Sequence, residues 1–387
     1  MNYFTSESVT QGHPDKLCDQ ISDHLLDAFL IGDPQSHVAI ECMISNNLLV
    51  IAGEVTSKSK VDVEAVARKV LFDVGYTSQQ IGIDAEKCIV LTNIHQQSPD
   101  INQGVSQTTG EIGAGDQGSV YGYACDETAD LMPLPIQLAH ELTKRLDTMR
   151  QNGTLPFLLP DGKAQVTVLY DEKRQPFMIS DVVISAQHKE EFSIEELRNR
   201  LKTQIIQPVL PSRLLSTKTR YLINPTGRFV IGGPFGDTGL TGRKIVVDTY
   251  GGMIPHGGGA FSGKDGTKVD RSGAYMARYI AKNIVAAGLA RRCQIALSYA
   301  IGYEEPVALD LETFGTNVVS KAILKIAVLK TFDLSPKSMI EILHLDQPVF
   351  KHTAVYGHFN RFGDFAWEKI DRVAELKLFV KHLSEIM

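Results

Sequence analysis

His256-Gly-Gly-Gly-Ala-Phe-Ser-Gly-Lys-Asp-Gly-Thr-Lys-Val-Asp-Arg271 stands directly ahead of a helical pattern that runs from Ser272 to Ala287. Of the five glycines in these sixteen residues, those at 257, 258, 259 and 263 permit tight turns and a close approach of backbone to a ligand. Lys264, Lys268 and Arg271 bring positive charge, and Asp265 and Asp270 are oxygen donors suited to a divalent cation. Free N–H groups with lysines at a helix start make a polyphosphate cradle. Gly258 to Lys264 fits G-x-x-x-x-G-K, but Asp265 stands where the Walker pattern needs Ser or Thr. Residues 251–256 are not a buried strand either. The stretch therefore reads as a phosphate loop outside the P-loop NTPase fold. The alternative is a glycine-rich surface loop ahead of an ordinary helix.

Working outward, 387 residues imply two or three domains, and 43% hydrophobic with 22% charged residues describe a soluble globular chain. A net charge of −6 argues against general nucleic-acid binding. An acidic protein that holds a polyanion needs locally clustered cations, which this one has. Cys18, Cys42, Cys88, Cys125 and Cys293 are scattered, odd in number and free of any C-x-x-C pattern. They read as reduced thiols without a zinc site. The first residues lack the basic and apolar regions of a signal peptide, and no run of about 18 apolar residues occurs, so no membrane span is expected and the cytoplasm is.

Leu17, Ile21, Leu25, Ala28 and Phe29 recur at helical spacing, from Pro14 to a stop at Gly32-Asp33-Pro34. Asp15, Asp19, Asp23 and Asp27 form an i, i+4 stripe on that helix. The last three read as a solvated face. Asp15, in the first turn beside His13 and Lys16, is a candidate for metal or phosphate work. Strands are expected over 38–44 and 48–56 around Ser45-Asn46-Asn47, then a helix over 61–74 and a strand over 88–94. Glu41 and Glu54 lie inside the apolar runs, either on a solvated edge or lining a cleft. Residues 95–118 are long, polar and glycine-rich, the composition of a lid or of a plain linker.

A helix is expected over 135–150, a turn at Asp161-Gly162-Lys163, strands over 165–170 and 177–187, a helix capped by Ser193 with Glu196, and a strand over 221–224. Ile245 to Thr249 reads as a strand. Beyond the helix from Ser272, strands are expected over 293–301 and 307–314, and helices over 318–330 and from Ser335-Pro336. Helix, strand pair, helix thus recurs near 14–74, 135–206 and 272–330. The fold class is α+β: three similar units, each a sheet with helices on one face. The other faces need burial, between units or between chains.

Cationic candidates are Lys163, Arg228, Arg243, Lys244, Lys264 and Lys268; anionic ones are Asp15, Glu41, Glu54, Asp237 and Asp270; His13 is an acid, base or phosphate donor. Nucleophile elbows, H-E-x-x-H and a Rossmann fingerprint are lacking. The residues describe a metal-assisted polyphosphate enzyme, and the reaction does not follow from them.

At these motifs the sequence closely resembles the S-adenosylmethionine synthetases, or methionine adenosyltransferases. The likeness rests on Phe4 to Lys16, Gln97 to Gln103, Gly113-Ala-Gly-Asp-Gln-Gly118, Asn224 to Pro234 and His256 to Asp265, and covers nearly the whole chain. It implies three α+β domains around a pseudo-threefold axis: residues 1–100, a gate and GAGDQG motif over 101–118, 119–230 and 231–387, with segments exchanged between them. It implies that ATP, L-methionine and water give S-adenosylmethionine, phosphate and diphosphate. The methionine sulfur attacks C5′ of ATP and the triphosphate is hydrolysed before release. A thioether needs no base, and the cations stabilise the leaving group.

The resemblance further implies site residues. His13, Lys163, Arg243 and Lys264 are catalytic, and His13, Asp161, Lys163, Arg228, Phe229, Asp237, Arg243, Lys244, Ala260 and Lys264 line the ATP site. Glu54, Gln97, Asp116, Asp237 and Lys268 bind methionine. Asp15 and Asp270 hold Mg²⁺, two ions to a site, and Glu41 holds one K⁺ per subunit. Residues 97–107 resemble a mobile gate. Active sites shared across a homodimer, assembled as a dimer of dimers, are expected, with no nucleic-acid or membrane partner. Two rival readings are a phosphotransferase, which yields ADP, and a nucleotide sensor, which binds ATP without turnover.

Overall fold

The computed structural model describes residues 2–96, 113–361 and 365–386. In chain order the elements that position the site are β1 (Asn2–Val9), α1 (Pro14–Gly32), β2 (His37–Ser45), β3 (Leu48–Thr56), α2 (Val63–Val74) and β4 (Ile89–His95). Next come β5 (Gly118–Cys125), α3 (Leu134–Gln151), β6 (Leu158–Tyr170), β7 (Pro176–His188), α4 (Ile194–Leu201) and β8 (Arg220–Ile223). The last third supplies β9 (Gly239–Leu240), α5 (Ile245–Asp248), α6 (Val269–Ala286), β10 (Arg292–Tyr299), β11 (Ala308–Glu312), α7 (Lys321–Thr331), α8 (Pro336–Leu343) and α9 (Val373–Ile386).

Beside a two-stranded ladder of Thr77–Ser78 with Ile83–Asp84, three larger sheets organise the described residues, each completed by a strand from elsewhere in the sequence. One has the order β1-β6-β7-β8, so the N-terminal strand pairs antiparallel with the middle of the chain, Asn2 opposite Tyr170 and Val9 opposite Lys163. A second has the order β9-β2-β3-β4, with Gly239 opposite Ile44. The third, β11-β10-β5, pairs Arg292 with Cys125. Helix α1 packs on β2 and α2, α3 packs on β6 and β1, and α6 packs on β5 and β10. Two mixed sheets and one antiparallel sheet, covered by helices, make the α+β layering the sequence implies. The apolar side chains collect into two cores: one lies under the first of these sheets, and the other runs continuously beneath the remaining two.

Alternation places the core in β2 and β3. Val38, Ile40, Cys42 and Ile44 are buried, as are Leu49 and Ile51. The opposite face of this sheet is open: Ile89 and Leu91 are more than half exposed. Register aligns Leu48 with Ile89 and Val50 with Leu91 on that face. Asp62 caps α2 by accepting from Ala65 N, and Gly75 closes the helix at φ 108°.

Several expectations are corrected. The aspartate stripe on α1 is not solvated: Asp19 and Asp23 are 0% exposed and Asp27 2%. Each meets a donor from a distant segment: Asp19 takes Gly242 N–H, Asp23 takes Arg271, and Asp27 takes the N–H groups of Phe350 and Lys351. Asp161 to Lys163 is not a turn but lies within β6. A register shift between Leu158 and Gly162 accommodates those residues as a bulge. Ile245 to Thr249 is not a strand, since residues 245–248 form the short helix α5. Its β-branched run is overridden by tertiary contacts that bury Val247 and Asp248. Ser193 stands at an N-cap position, but its hydroxyl makes no capping bond.

Strands β1 and β5 and helix α9 extend the architecture beyond the sequence reading. In β1 the inward positions are serines, Ser6 bonding Gly251 O and Ser8 bonding His140 and Thr143. In β5, Gly122 lets the strand lie against α6; a Cβ there would come 2.0 Å from the Ala277 carbonyl carbon.

Candidate active site

The site residues fall into two groups. The first gathers at the N-terminus of α1. His13 is the N-cap, its Nδ1 accepting from Asp15 N–H at 3.2 Å, and Pro14 starts the helix without a donor to lose. With Nδ1 accepting, the neutral ring carries its proton on Nε2, where it can donate. Burial, then Lys244 and Lys163, push His13 down to about 3. The ring is therefore neutral at physiological pH, a donor rather than a cation.

Asp15 uses both oxygens. Oδ1 accepts from Leu240 N–H at 2.9 Å and Oδ2 from Lys244 Nζ at 2.5 Å, with Arg243 Nε 3.9 Å from Oδ1. Burial pushes its carboxyl up, but the bonds from Lys244 and Leu240 outweigh it and hold the group below the usual carboxylate range. Lys163 projects from β6 one strand away and Arg243 is half exposed. The result is a helix N-terminus ringed by Lys163, Arg243 and Lys244, which favours anions twice over.

Asp161 is buried beside this group. Its Oδ2 accepts from Gly233 N–H at 2.9 Å, and Oδ1 has no partner within the described residues. Burial pushes it up to about 6. Gln187 ties Asp161 N–H to the carbonyl of Val230, which brings Phe229 to the edge of the group. Asp237 is exposed at the end of the same segment, accepting from Thr238 N–H. Arg228 points outward, paired to Glu190 at 2.5 Å.

The second group lies where the opening glycine loop pairs with the edge of β2, Lys264 bridging antiparallel to Ala39. Lys264 pairs with Asp270 at 2.6 Å, and Ile40 N–H donates to Gly263 O. Gly259 passes so near Asp270 that a Cβ would come 2.3 Å from its carboxyl. A cleft here is lined by Ser119, Tyr121, His256, Gly257, Gly259 and Asp270. Glu54 sits opposite Ala39 and its carboxylate is 3.4 Å from His95. Glu41, two residues beyond Ala39, has its carboxyl pushed up by desolvation and by Glu54, against the pull of Lys264. Asp116 is exposed two residues before Gly118, whose Cβ position is 3.8 Å from Asp270 Oδ1.

Ala260 is the joint. Its methyl packs against Gly242, immediately before Arg243. No hydrogen bond or ion pair joins a side chain of one group to a side chain of the other among the described residues. Lys268 belongs to neither group; it pairs with Asp265 at 2.6 Å. Asp265 is itself occupied, accepting from Val38 N–H, Thr267 N–H and the Thr267 hydroxyl. It is a buried knot that fixes the loop to β2, not the free cation donor expected of it. Gln97 and the gate lie outside the described residues.

The buried network behind the first group was legible only as an acidic stripe. Lys16 lies between Asp19 and Asp248, and neither partnership has a signature in local spacing beyond i, i+3. Among the described residues, no three His, Cys, Asp or Glu side chains converge on a metal site. Hard carboxylate oxygens at Asp15 and Asp270, each beside a lysine, still suit Mg²⁺, which is commonly held by one or two carboxylates together with substrate phosphates. No helix in the described residues is long and apolar enough to cross a membrane.

Models for three S-adenosylmethionine synthetase domains match the chain in succession: the N-terminal domain over residues 1–99, the central domain over 111–229 and the C-terminal domain over 231–369. The S-adenosylmethionine synthase of Treponema denticola is 53% identical over 387 residues, covering 98% of this chain and 99% of the relative. The chain belongs to the S-adenosylmethionine synthetase family.

Proposed function

We propose that this member of the S-adenosylmethionine synthetase family converts ATP, L-methionine and water to S-adenosylmethionine, phosphate and diphosphate. The observation that carries this is the cation-ringed helix N-terminus at His13, with Lys244 on Asp15 and Lys163 alongside. The thioether sulfur attacks C5′, the C5′–O bond breaks, and the electron pair leaves with triphosphate. Sulfur becomes a sulfonium without losing a proton, so no general base is required. The barrier lies in charge on the departing oxygen.

His13 donates from Nε2 toward that leaving group, while Lys163, Arg243, Lys244 and Lys264 neutralise the polyphosphate. Asp161, Arg228, Phe229, Asp237 and Ala260 shape the nucleotide seat. Glu54, Gln97, Asp116, Asp237 and Lys268 receive methionine, whose ammonium suits carboxylates. Water then splits the bound triphosphate between two phosphoryl groups, and the same cations hold both products. Asp15 and Asp270 would hold Mg²⁺ and Glu41 K⁺; bound Mg²⁺ supplies further charge neutralisation on phosphate oxygens.

Lys163, Arg243 and Lys244 stand in the first group, whereas Glu54 and Asp116, which receive methionine, stand in the second with Lys264. We therefore propose a homodimer in which a group from each chain completes a site, and a dimer of such dimers. The open apolar face of β3 and β4 supports this, since Ile89 and Leu91 are exposed beside Glu54 and His95. We further propose three domains over 1–100, 119–230 and 231–387 about a pseudo-threefold axis, a reading that the three helix-covered sheets support. Five free, buried cysteines accord with a cytoplasmic location.

Product analysis with ATP, L-methionine, Mg²⁺ and K⁺, omitting one at a time, tests the reading. Methionine-dependent S-adenosylmethionine with both phosphate and diphosphate is the expected outcome. ADP as product would replace it with phosphotransfer, and ATP binding without turnover with a sensor.

A further inference from the structure

Lys16 directly follows Asp15, yet its side chain turns away from the phosphate seat and is fully buried. Its Nζ is 2.9 Å from Asp19 Oδ2 and also donates to Asp248 Oδ1. Asp248 closes the short helix α5, which begins one residue after Lys244, and its N–H donates to Lys244 O at 2.9 Å. Asp19 Oδ1 accepts from the N–H of Gly242, immediately before Arg243, at 2.8 Å. Asp15 Oδ1 accepts from Leu240 N–H at 2.9 Å. Three residues on the first turns of α1 thus fasten segment 240–248 at three points, on both sides of Arg243 and Lys244.

We propose that Lys16 is a positioning residue for the reaction: by bridging Asp19 and Asp248 it sets the backbone that aims Arg243 and Lys244 at the polyphosphate. This rests on the reading of those two residues as phosphate-binding. Arg243 has little else to direct it, since its side chain is 56% exposed and its nearest carboxylate oxygen lies 3.9 Å away. Its aim is set at Gly242, where φ is +79° and a Cβ would come 2.5 Å from the Ala260 methyl. A shift of Gly242 therefore changes the fit between the phosphate cations and the glycine loop. Only a compact cation with several donors can span two buried carboxylates from different segments. An apolar side chain of the same length would take from Asp19 and Asp248 the cation that they share.

The test compares Lys16→Met, Lys16→Arg and Lys244→Ala by kcat, KM for each substrate, hydrolysis of added inorganic tripolyphosphate, and circular dichroism. Folded Lys16→Met is expected to lose about a hundredfold in kcat, with a parallel loss of tripolyphosphate hydrolysis and methionine KM within about twofold, because small misplacement of catalytic groups is costly. Lys16→Arg, which keeps a cation, is expected within about tenfold of the parent. Parental kcat in folded Lys16→Met overturns the proposal. Should that variant not fold, isosteric Asp248→Asn decides: a tenfold or greater loss of both activities at unchanged methionine KM supports the proposal, and parental kcat overturns it. Lys244→Ala separates the two levels. Parental turnover there removes the phosphate reading itself, while its loss alongside parental Lys16→Met removes only this inference.

Discussion

Arg271 and Asp23 face each other as a bidentate pair, Nη1 to Oδ1 at 2.7 Å and Nη2 to Oδ2 at 3.0 Å, with both side chains at 0% exposure. The pair joins α6 to α1, and the same carboxylate accepts from Gly263 N–H, so the glycine loop hangs from this contact. Removing one partner of such a pair leaves a bare buried charge. Asp23→Ala is expected to lower unfolding free energy by roughly 3–5 kcal/mol, read from urea titration. A loss under about 1 kcal/mol would show that the pair contributes little to the fold.

Lys264 presents the contrasting case. It and Asp270 retain 22% and 18% side-chain exposure, so water compensates the loss of either. Lys264→Ala is expected to reduce turnover by about two orders of magnitude while barely moving the melting temperature. Steady-state kinetics and a thermal melt on the same preparation check both halves.

His140 links stability to pH. It is buried, bonded to Ser8 through Nδ1, and burial pushes it down to about 3. The unfolded chain therefore takes up this proton first. Its contribution is complete above pH 6.5 and is lost as pH falls from there toward about 3, at roughly 1.4 kcal/mol per unit. Asp27, pushed up to about 6 by burial, has the opposite sign, its share fading as pH rises from 3.8 through 6. The variant His140→Gln should flatten the acid slope between pH 6.5 and 4.5, measured by urea unfolding at several pH values. An unchanged slope would mean that His140 is protonated in the native state.

Leu91 tests the assembly. It lies 53% exposed, opposite Val50 in register, on the open sheet face. Leu91→Asp should yield monomers in sedimentation velocity and abolish turnover, since the two site groups would no longer meet. A dimer of unaltered affinity would place the interface elsewhere.

The sequence was most legible where burial follows periodicity. Helix α1 and strands β2 and β3 could be read from Leu17, Ile21 and Leu25 and from Val38, Ile40 and Cys42, because one face is apolar and one is not. It was least legible where a polar side chain is buried with a partner hundreds of positions away. Asp23 reads as a surface charge and Arg271 as a cation of the phosphate loop until α1 and α6 are laid together. Ser6 and Ser8 occupy core-facing positions of β1 for the same reason. Of the site, His13, Asp15 and Lys244 were named as single residues, but their convergence depends on residues 240–244 folding back onto α1. Local spacing carries no information about such a return.

The exchanged strands dictate when this protein can fold. As the chain leaves the ribosome, Asn2–Val9 has no neighbour until Leu158–Tyr170 has emerged. The β2 edge stays bare until Gly239–Leu240 is made, and Gly118–Cys125 waits for Arg292–Tyr299. The first 125 residues of the nascent chain thus carry three open edges whose complements have yet to be translated. Native pairing is forced late, and the cell must shield unpaired edges through most of synthesis.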